Sequence, residues 1–278
     1  MSPESSPYTG RSWGNANAVR RVETPGLPPY YVFPHLEPHV FCGFTTRAGG
    51  VSVAPFDTLN LGTTTRDEAA CVEENRRRMS AAFGHALGAS IRLEHGCRVV
   101  RVDAGESVAD KPCADAVITC ARHLPVAIYY ADCVPVILVD PRRRALALVH
   151  AGWRGTMVEV SVRAVEAMQE AFGTDPADLL GGIGSSIGPC CFEVGPDVKD
   201  VVCARFPQWQ ESLVSVDKDL HTRVDLWNLN LLQLEHAGVP RRNIAISRLC
   251  TACRDDLFFS YRRDRGQTGR LAMLAVLP

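Results

Sequence analysis

The stretch "VILVDPRRRALALVHAGWRG", residues 136–155, decides the fold because it contains two apolar strands joined by a short turn. Segments 136–139 and 145–150 are runs of apolar residues, and residues 141–144 between them have the composition of a hairpin turn. Runs this uniformly apolar are typical of strands in a sheet that is covered on both faces. The second strand, however, ends in "HAGWRG", a polar and glycine-containing ending that a core strand does not require.

The register of this hairpin predicts which side chains meet at its open end. If Asp140 faces Ala145, Cys133 and His150 become diagonal neighbours across the two strands. Diagonal partners lie about 7–8 Å apart, which is close enough for two side chains to converge on one metal ion. Pro135 interrupts the first strand, and a bulge there is the alternative to a regular register.

The rest of the chain alternates apolar segments with helical patterns, which predicts a mixed α/β (α+β) fold with a mixed β-sheet core flanked by helices. Further strands are expected over 97–102, 126–131, 244–248 and 271–277, and helices over 67–83, 156–172, 194–206 and 225–237. We expect Thr156 to cap the second of these helices and Gly173 to end it. Residues 1–28 are poor in large apolar side chains and predict a flexible N-terminal tail, followed by a single domain over residues 29–278.

Composition and charge are those of an ordinary soluble globular protein. The 278 residues include 30 basic and 31 acidic side chains, and 46% are hydrophobic. This balance gives no electrostatic reason to expect nucleic acid or a membrane as partner, and it indicates no oligomeric state. Apolar runs fall short of the roughly 20 residues of a membrane span, and the N-terminus lacks the apolar stretch of a secretory signal. We therefore expect a cytoplasmic protein.

The eleven cysteines are expected to be reduced thiols, because their number is odd and their spacing is irregular. Two local patterns are Cys190-Cys191 and "CTAC" at residues 250–253. A CxxC motif can be a redox motif or half of a four-cysteine zinc site, but the sequence has neither a thioredoxin-like context nor a second CxxC to complete such a site. The sequence therefore does not predict a four-cysteine metal site.

A metal site made of one cysteine and one histidine lacks a further ligand. Seven histidines remain to supply it: His35, His39, His85, His95, His123, His221 and His236. Periodicity does not choose among them, although His95 has the best context, since "EHG" precedes a predicted strand and the glycine permits a sharp turn. Asp132 and Arg154 lie near Cys133 and His150 in the sequence and complete a cluster that is typical of a functional site.

Ordered motifs from about residue 43 to the C-terminus resemble the YfiH-like family, which is named for laccase-like or polyphenol oxidoreductase activity and is associated with purine nucleoside phosphorylase activity. They include "TTRAGGVS", "FDTLNLG", "VEENRRR", "ADA", "ADCVPVILVDP", "HAGWRG", "FEVG", and "FFSYRRD" followed by "TGRLA". The resemblance implies a YfiH-like catalytic domain in which His95, Cys133 and His150 bind zinc, with copper as the alternative. Two histidines and one cysteine leave a fourth zinc position open, as in catalytic sites. Leu93 stands where the family commonly has glutamine, a change expected to alter hydrogen bonding near the metal or the substrate.

The same resemblance implies the reaction and its partners, a small-molecule nucleoside and phosphate. The expected reaction is phosphorolysis of adenosine, inosine and methylthioadenosine to the free base and a ribose 1-phosphate, with adenosine deamination as a side activity. Catalysis is assigned to Arg47, Asp132 and Arg154, and substrate binding to Arg47, Cys250 and Arg263. Each residue also has a structural interpretation, in which the arginines and the carboxylate hold turns and the thiol packs in the core.

Two other functions are alternatives. Copper-dependent oxidation of phenols fits a site of two histidines and one cysteine, which resembles a blue-copper site. Multicopper oxidases, however, use His-x-His pairs, and this sequence contains none. The other alternative is a non-enzymatic or cell-envelope role, since some members of the family are associated with editing of peptidoglycan precursors.

Overall fold

The computed structural model describes residues 18–87, 90–107, 110 and 112–278. Its strands are β1 (Arg20–Val22), β2 (Tyr30–Val32), β3 (Phe41–Thr45), β4 (Val99–Arg101), β5 (Ala116–Thr119), β6 (Val126–Tyr130), β7 (Val134–Asp140), β8 (Ala145–Ala151), β9 (Leu180–Ile183), β10 (Val214–Val216), β11 (Thr222–Val224), β12 (Ile244–Ile246) and β13 (Leu271–Val276). Its helices are α1 (Ala69–Phe83), α2 (Trp153–Met157), α3 (Val160–Phe172), α4 (Pro196–Arg205), α5 (Gln210–Leu213) and α6 (Leu226–His236).

The β7–β8 hairpin lies at the centre of a mixed six-stranded sheet with the order β12-β9-β7-β8-β5-β4. Its antiparallel register is unbroken from Asp140 opposite Ala145 to the open end. The predicted register is therefore confirmed. The bulge considered at Pro135 does not form, because Pro135 lies directly opposite His150 in the ladder. The outer pairs β12–β9 and β4–β5 are parallel, which makes the sheet mixed.

Both faces of the hairpin are buried, as its apolar sequence predicts. On one face a core cluster joins the hairpin to the second sheet, whose order is β1-β2-β3-β13-β6, and it includes Ile137, Leu146, Leu148, Phe44, Ile128 and Met273. The other face packs against α3 and α6 through a second cluster that includes Val136, Val149, Val165 and Leu229. Complete burial of each large aliphatic side chain contributes about 1.5–3 kcal/mol. Helix α1 covers the far side of the second sheet, so the mixed α/β fold has helices on both outer surfaces.

The helix expected over 156–172 is in fact two helices. The chain turns directly from β8 into α2, which begins at Trp153, and α3 starts only after Glu159 adopts a positive φ of 61°. Thr156 therefore lies inside α2 and does not cap a helix, because its hydroxyl donates a hydrogen bond to the last carbonyl of β8. Gly173 ends α3 in the left-handed conformation, as predicted.

The ordered sheet begins earlier than residue 29. Strand β1 falls inside the predicted tail, residues 1–28, and pairs antiparallel with β2. Its side chains are mostly exposed, so its stabilisation comes from backbone hydrogen bonds that a hydrophobic pattern does not reveal. Residues 1–17 lie outside the described residues, and the flexibility of the tail stays a prediction. In the part of the chain that the structure describes, no helix is both long enough and apolar enough to cross a membrane.

Candidate metal centre and cavity

Three side chains that can bind a metal converge at the open end of the β7–β8 hairpin. The ligand atoms of His95, Cys133 and His150 all lie within 4.8 Å of one another. The two imidazole rings are nearly perpendicular, with their centroids 5.0 Å apart. The hairpin register thus brings Cys133 next to His150, and His95 is the histidine that joins them.

A buried carboxylate, Asp115, holds both histidines in place. Its Oδ1 lies 3.0 Å from His150 Nδ1 and also accepts a hydrogen bond from the backbone N–H of His95, while Oδ2 accepts one from the N–H of Gly96. These bonds fix the turn at His95, whose φ of 60° is unusual for a residue with a side chain. Because Asp115 occupies His150 Nδ1, the Nε2 atom is left to bind a metal. Asp115 is the acid of the "ADA" motif and is not among the predicted site residues.

The electrostatics of the centre favour a thiolate at Cys133. Burial raises the pKa of this thiol, but the neighbouring imidazoles of His150 and His95 outweigh burial and hold the pKa at about 6. Burial likewise lowers the pKa of His150, whereas the Cys133 sulfur and the Asp115 carboxylate raise it to about 9. The thiolate is the form of cysteine that binds metals, so this environment suits Cys133 to bind one.

Close backbone approach requires the two glycines of "HAGWRG". A Cβ atom on Gly152 would lie 3.1 Å from Cys133 Sγ and 3.2 Å from His95 Cδ2. A Cβ atom on Gly155 would lie 2.9 Å from the carbonyl oxygen of Gly96, so α2 packs directly against the turn that carries His95. The glycine at 152 therefore keeps the space beside the three ligand atoms free.

The side chains of His95, Cys133 and His150 line an open cavity of about 1160 Å³. Its lining includes five arginines, namely Arg76, Arg92, Arg154, Arg262 and Arg270, and five aromatic side chains, Tyr129, Tyr130, Trp153, Phe192 and Tyr261. Among the described lining residues, Asp132 is the sole carboxylate. Leu93, at the position where the family commonly has glutamine, adds apolar surface. The excess of positive charge suits an anion, and the aromatic rings suit a planar base.

Arg270 is positioned in this cavity by a contact between two sequence motifs, "FDTLNLG" and "TGRLA". Asn60 Oδ1 accepts hydrogen bonds from the backbone N–H groups of Gly62 and Arg270. The Arg270 stem packs so closely on Gly62 that a Cβ atom there would lie 2.5 Å from Arg270 Cγ. One guanidinium nitrogen donates to the carbonyls of Thr268 and Gly269. Arg270 belongs to a motif of the family but is not among the predicted site residues.

Asp132 and Arg154, two predicted site residues, also line the cavity. The exposed Arg154 guanidinium lies 4.4 Å from the centroid of the neighbouring indole ring. The Asp132 carboxylate accepts three hydrogen bonds: from the Thr251 hydroxyl at 2.5 Å, the Ser260 hydroxyl at 3.0 Å and the backbone N–H of Arg262 at 2.7 Å. Burial raises the pKa of Asp132, and these hydrogen bonds only partly oppose the increase. Asp132 thus holds the loop that forms one side of the cavity.

Three other predicted residues are not among the side chains that line this cavity. Arg47 forms an ion pair with Asp57 at 2.9 Å. Arg263 donates hydrogen bonds to the backbone carbonyls of Thr251 and Phe258. The Cys250 sulfur accepts a hydrogen bond from the N–H of Gly188 at 3.3 Å. The geometry gives each of them a structural partner, and their catalytic or substrate-binding roles stay predictions.

Comparison with known proteins supports the family that the motifs indicate. The family model for the multi-copper polyphenol oxidoreductase laccase matches residues 41–278. The purine nucleoside phosphorylase YlmD of Geobacillus stearothermophilus is 36% identical over 243 residues, which cover 82% of this chain and 87% of that protein. A purine nucleoside phosphorylase of Xylella fastidiosa is 39% identical over 246 residues, covering 86% of this chain and 92% of its own. The crystal structure of Bacillus licheniformis hypothetical protein YfiH is similar with a TM-score of 0.86 and 32% identity, covering 94% of this chain and all of that one. The chain therefore belongs to the multi-copper polyphenol oxidoreductase laccase family, the YfiH-like family that its motifs resemble.

Proposed function

We propose that this protein is a zinc-dependent purine nucleoside phosphorylase. The observation that carries the proposal is the position of His95, Cys133 and His150 beside a cavity lined by five arginines and five aromatic rings. Relatives at 36% and 39% identity are named purine nucleoside phosphorylases, which supports the same activity here. The substrates are a purine nucleoside, with adenosine, inosine and methylthioadenosine as the expected ones, and inorganic phosphate.

The donor set fits zinc. Two imidazoles and one thiolate are typical ligands of catalytic zinc, which keeps a fourth position for water or substrate. A zinc ion bound by these residues would supply a Lewis acid that faces the cavity. Copper-dependent oxidation is the weaker alternative, since a multicopper cluster needs many histidines. Of the eight in the chain, only His95 and His150 belong to a metal-binding group within the described residues.

The arginines are suited to bind and orient phosphate. Phosphorolysis requires phosphate at the sugar carbon that bears the base, where positive charge develops as the base departs. In the described part of the chain, Arg154 has no carboxylate partner, and its guanidinium is exposed at the cavity. Arg270 donates to two backbone carbonyls through one guanidinium nitrogen, Nη1. Its other guanidinium nitrogens are available for a second contact. Two such forks can bind one phosphate and restrict its orientation.

The aromatic residues are suited to bind the base. Trp153 and Tyr261 line the cavity and offer large ring surfaces against which a purine can stack. A binding mode of this kind recognises the planar ring without fixing one exocyclic group. It therefore agrees with activity on several purine nucleosides.

Adenosine deamination is a second activity that one observation favours. Asp132 adjoins Cys133 and lines the cavity, where a carboxyl group can act as a proton donor, and burial raises its pKa. Asp132 also accepts three hydrogen bonds, and these favour a positioning role. Replacement by asparagine separates the roles: deamination is lost and phosphorolysis is retained if Asp132 is the donor.

The test is an assay of the zinc-loaded protein with adenosine, in the presence and absence of phosphate. Base and ribose 1-phosphate are expected to appear in equal amounts, only with phosphate, while inosine reports deamination. Inosine and methylthioadenosine are then tested in the same way. Absence of base release from folded, zinc-loaded protein would overturn the proposal and favour a binding or precursor-editing role. Activity on phenols that requires stoichiometric copper would favour oxidation.

A further inference from the structure

A second group of metal-binding side chains lies outside the cavity lining. The Sγ atoms of Cys190, Cys191, Cys250 and Cys253 all lie within 4.8 Å of one another. Cys253 Sγ is 3.3 Å from both Cys190 Sγ and Cys191 Sγ. We propose that these four residues, the cysteine cluster, form a structural metal site that binds one zinc ion.

The cluster brings together cysteines that are far apart in the sequence. "CTAC" lacks a second CxxC, but the adjacent pair Cys190-Cys191 supplies the two missing thiols. A parallel bridge between Ser186 and Cys250 and a hydrogen bond from Thr251 N to Ser186 O bring the two segments together. Sequence spacing does not reveal this site because one pair of ligands is adjacent and the pairs are far apart in the chain.

The distances fit four thiols around a single ion. Zinc–sulfur bonds of about 2.3 Å place the sulfurs of a tetrahedral site about 3.8 Å apart. The recorded separations of 3.3 Å and the limit of 4.8 Å bracket that value. All four cysteines are free thiols. The distances between their Sγ atoms are too short for four cysteines that bind the iron atoms of an iron–sulfur cluster.

The surroundings of the cluster favour a cation that needs no further ligand. Four thiols complete a tetrahedron, and a site closed in this way is typical of structural zinc. Cys250 is buried and already accepts a backbone hydrogen bond from Gly188, an interaction that stabilises a thiolate. When the ion binds, the thiols release their protons to water.

The site would connect two loops that form one side of the cavity. The first carries Ile187, whose backbone N–H donates to the Asp132 carbonyl at 2.9 Å, and the second carries Thr251, whose hydroxyl donates to the Asp132 carboxylate. Phe192 and Arg262 from the same loops line the cavity. An ion at the cysteine cluster would therefore stabilise the cavity without contacting the substrate.

The first experiment measures the zinc content of protein purified in reductant without chelator. Cys253→Ser is expected to lose about one zinc ion per chain relative to wild type. Cys120→Ser, which alters an exposed cysteine outside the cluster, is expected to lose none. Equal zinc in wild type and Cys253→Ser would overturn the proposal. Because Cys253 is exposed, its replacement by serine should not disturb the core.

The second experiment excludes a contribution from the other metal centre. The His150→Ala variant is loaded with cobalt(II), which gives strong visible absorption in a tetrahedral thiolate site. We expect stoichiometric cobalt binding with this absorption, and its loss in the double variant His150→Ala/Cys253→Ser. Retention of the same absorption in the double variant, or a disulfide among the four cysteines in reduced, metal-loaded protein, would overturn the proposal. Zinc content and cobalt absorption do not depend on nucleoside activity. A failure of the structural metal site is therefore distinguishable from a failure of the proposed phosphorylase function.

Discussion

The two groups of side chains in the described residues that could hold a metal ion differ in their donors and in their surroundings. The site of His95, Cys133 and His150 has three donors, of which one is buried, one is partly buried and one is exposed toward a large cavity. The cysteine cluster has four sulfur donors and does not contribute to that cavity. An ion with three protein ligands beside a cavity can meet a substrate, whereas an ion with four can only hold the chain together. Proximity of ligands alone therefore does not identify a catalytic site.

The largest expected effect comes from removing a thiol at each site in turn. Cys133→Ser replaces the thiolate with a hydroxyl of similar size that remains protonated, so zinc binding weakens and phosphorolysis falls by at least about 100-fold. Rate of base release and zinc content are measured together. Cys253→Ser is expected to lower the thermal midpoint more than the rate, and Cys120→Ser to change neither. A Cys133→Ser enzyme that keeps its full rate without metal would remove the distinction between the sites.

A second, smaller effect is expected from replacing Asp115, the carboxylate that contacts the His150 ring and the His95 backbone. Asp115→Asn weakens the hydrogen bond to His150 Nδ1 and the contacts that fix the His95 turn. Loss of such a partner typically costs 10–100-fold in metal affinity. Competition with a coloured chelator measures the affinity, and circular dichroism checks the fold. The cysteine cluster should keep its zinc in this variant, and loss of zinc from both sites would point to unfolding instead.

The part of the metal centre that the sequence predicts is the part that depends on local geometry. Cys133 and His150 flank a short hairpin, and the period-two register of its strands fixes their positions. His95 depends on two backbone hydrogen bonds to Asp115, which is 20 residues away and lies at the start of another strand region. No periodic pattern in the sequence indicates this contact. His95 is therefore identified by the resemblance to the family and not by the spacing of apolar residues.

The other differences between sequence and structure have the same cause. The apolar core strands and helix α6 follow from their own composition, whereas edge strand β1 depends on pairing with β2. Cys190 and Cys253 lie 63 residues apart, and only the packing of their loops makes them neighbours. The charge of Arg47 and Arg263 suits an anion, but charge does not show whether an arginine points to a cavity or to backbone carbonyls.

A third effect is expected from replacing Arg154, and it tests whether the arginines of the cavity bind phosphate. Arg154→Gln removes a charged fork, and a charge-assisted hydrogen bond contributes about 1.5–3 kcal/mol. Because Arg154 is exposed, the lower end of this range applies, and the KM for phosphate should rise about tenfold, with a smaller change in the KM for the nucleoside. Arg163→Gln is the matched control, because Arg163 is an exposed arginine of α3 that pairs with Glu166. An unchanged KM for phosphate would assign the anion to other arginines of the cavity.

The smallest effect concerns the space beside the ligand atoms. Gly152 has a φ of −62°, so alanine fits its backbone, but the new Cβ would lie 3.1 Å from Cys133 Sγ. Displacing the sulfur costs about 1 kcal/mol, so we expect a roughly fivefold loss of zinc affinity at this centre. Gly96→Ala is the control, since its Cβ meets nothing closer than Glu94 Oε1 at 3.5 Å, an ordinary contact. Equal losses in both variants would mean that the turns, and not the space at the sulfur, set the affinity. A loss confined to Gly152→Ala would show that the glycine at the end of the hairpin is required by the metal centre and not by the strand.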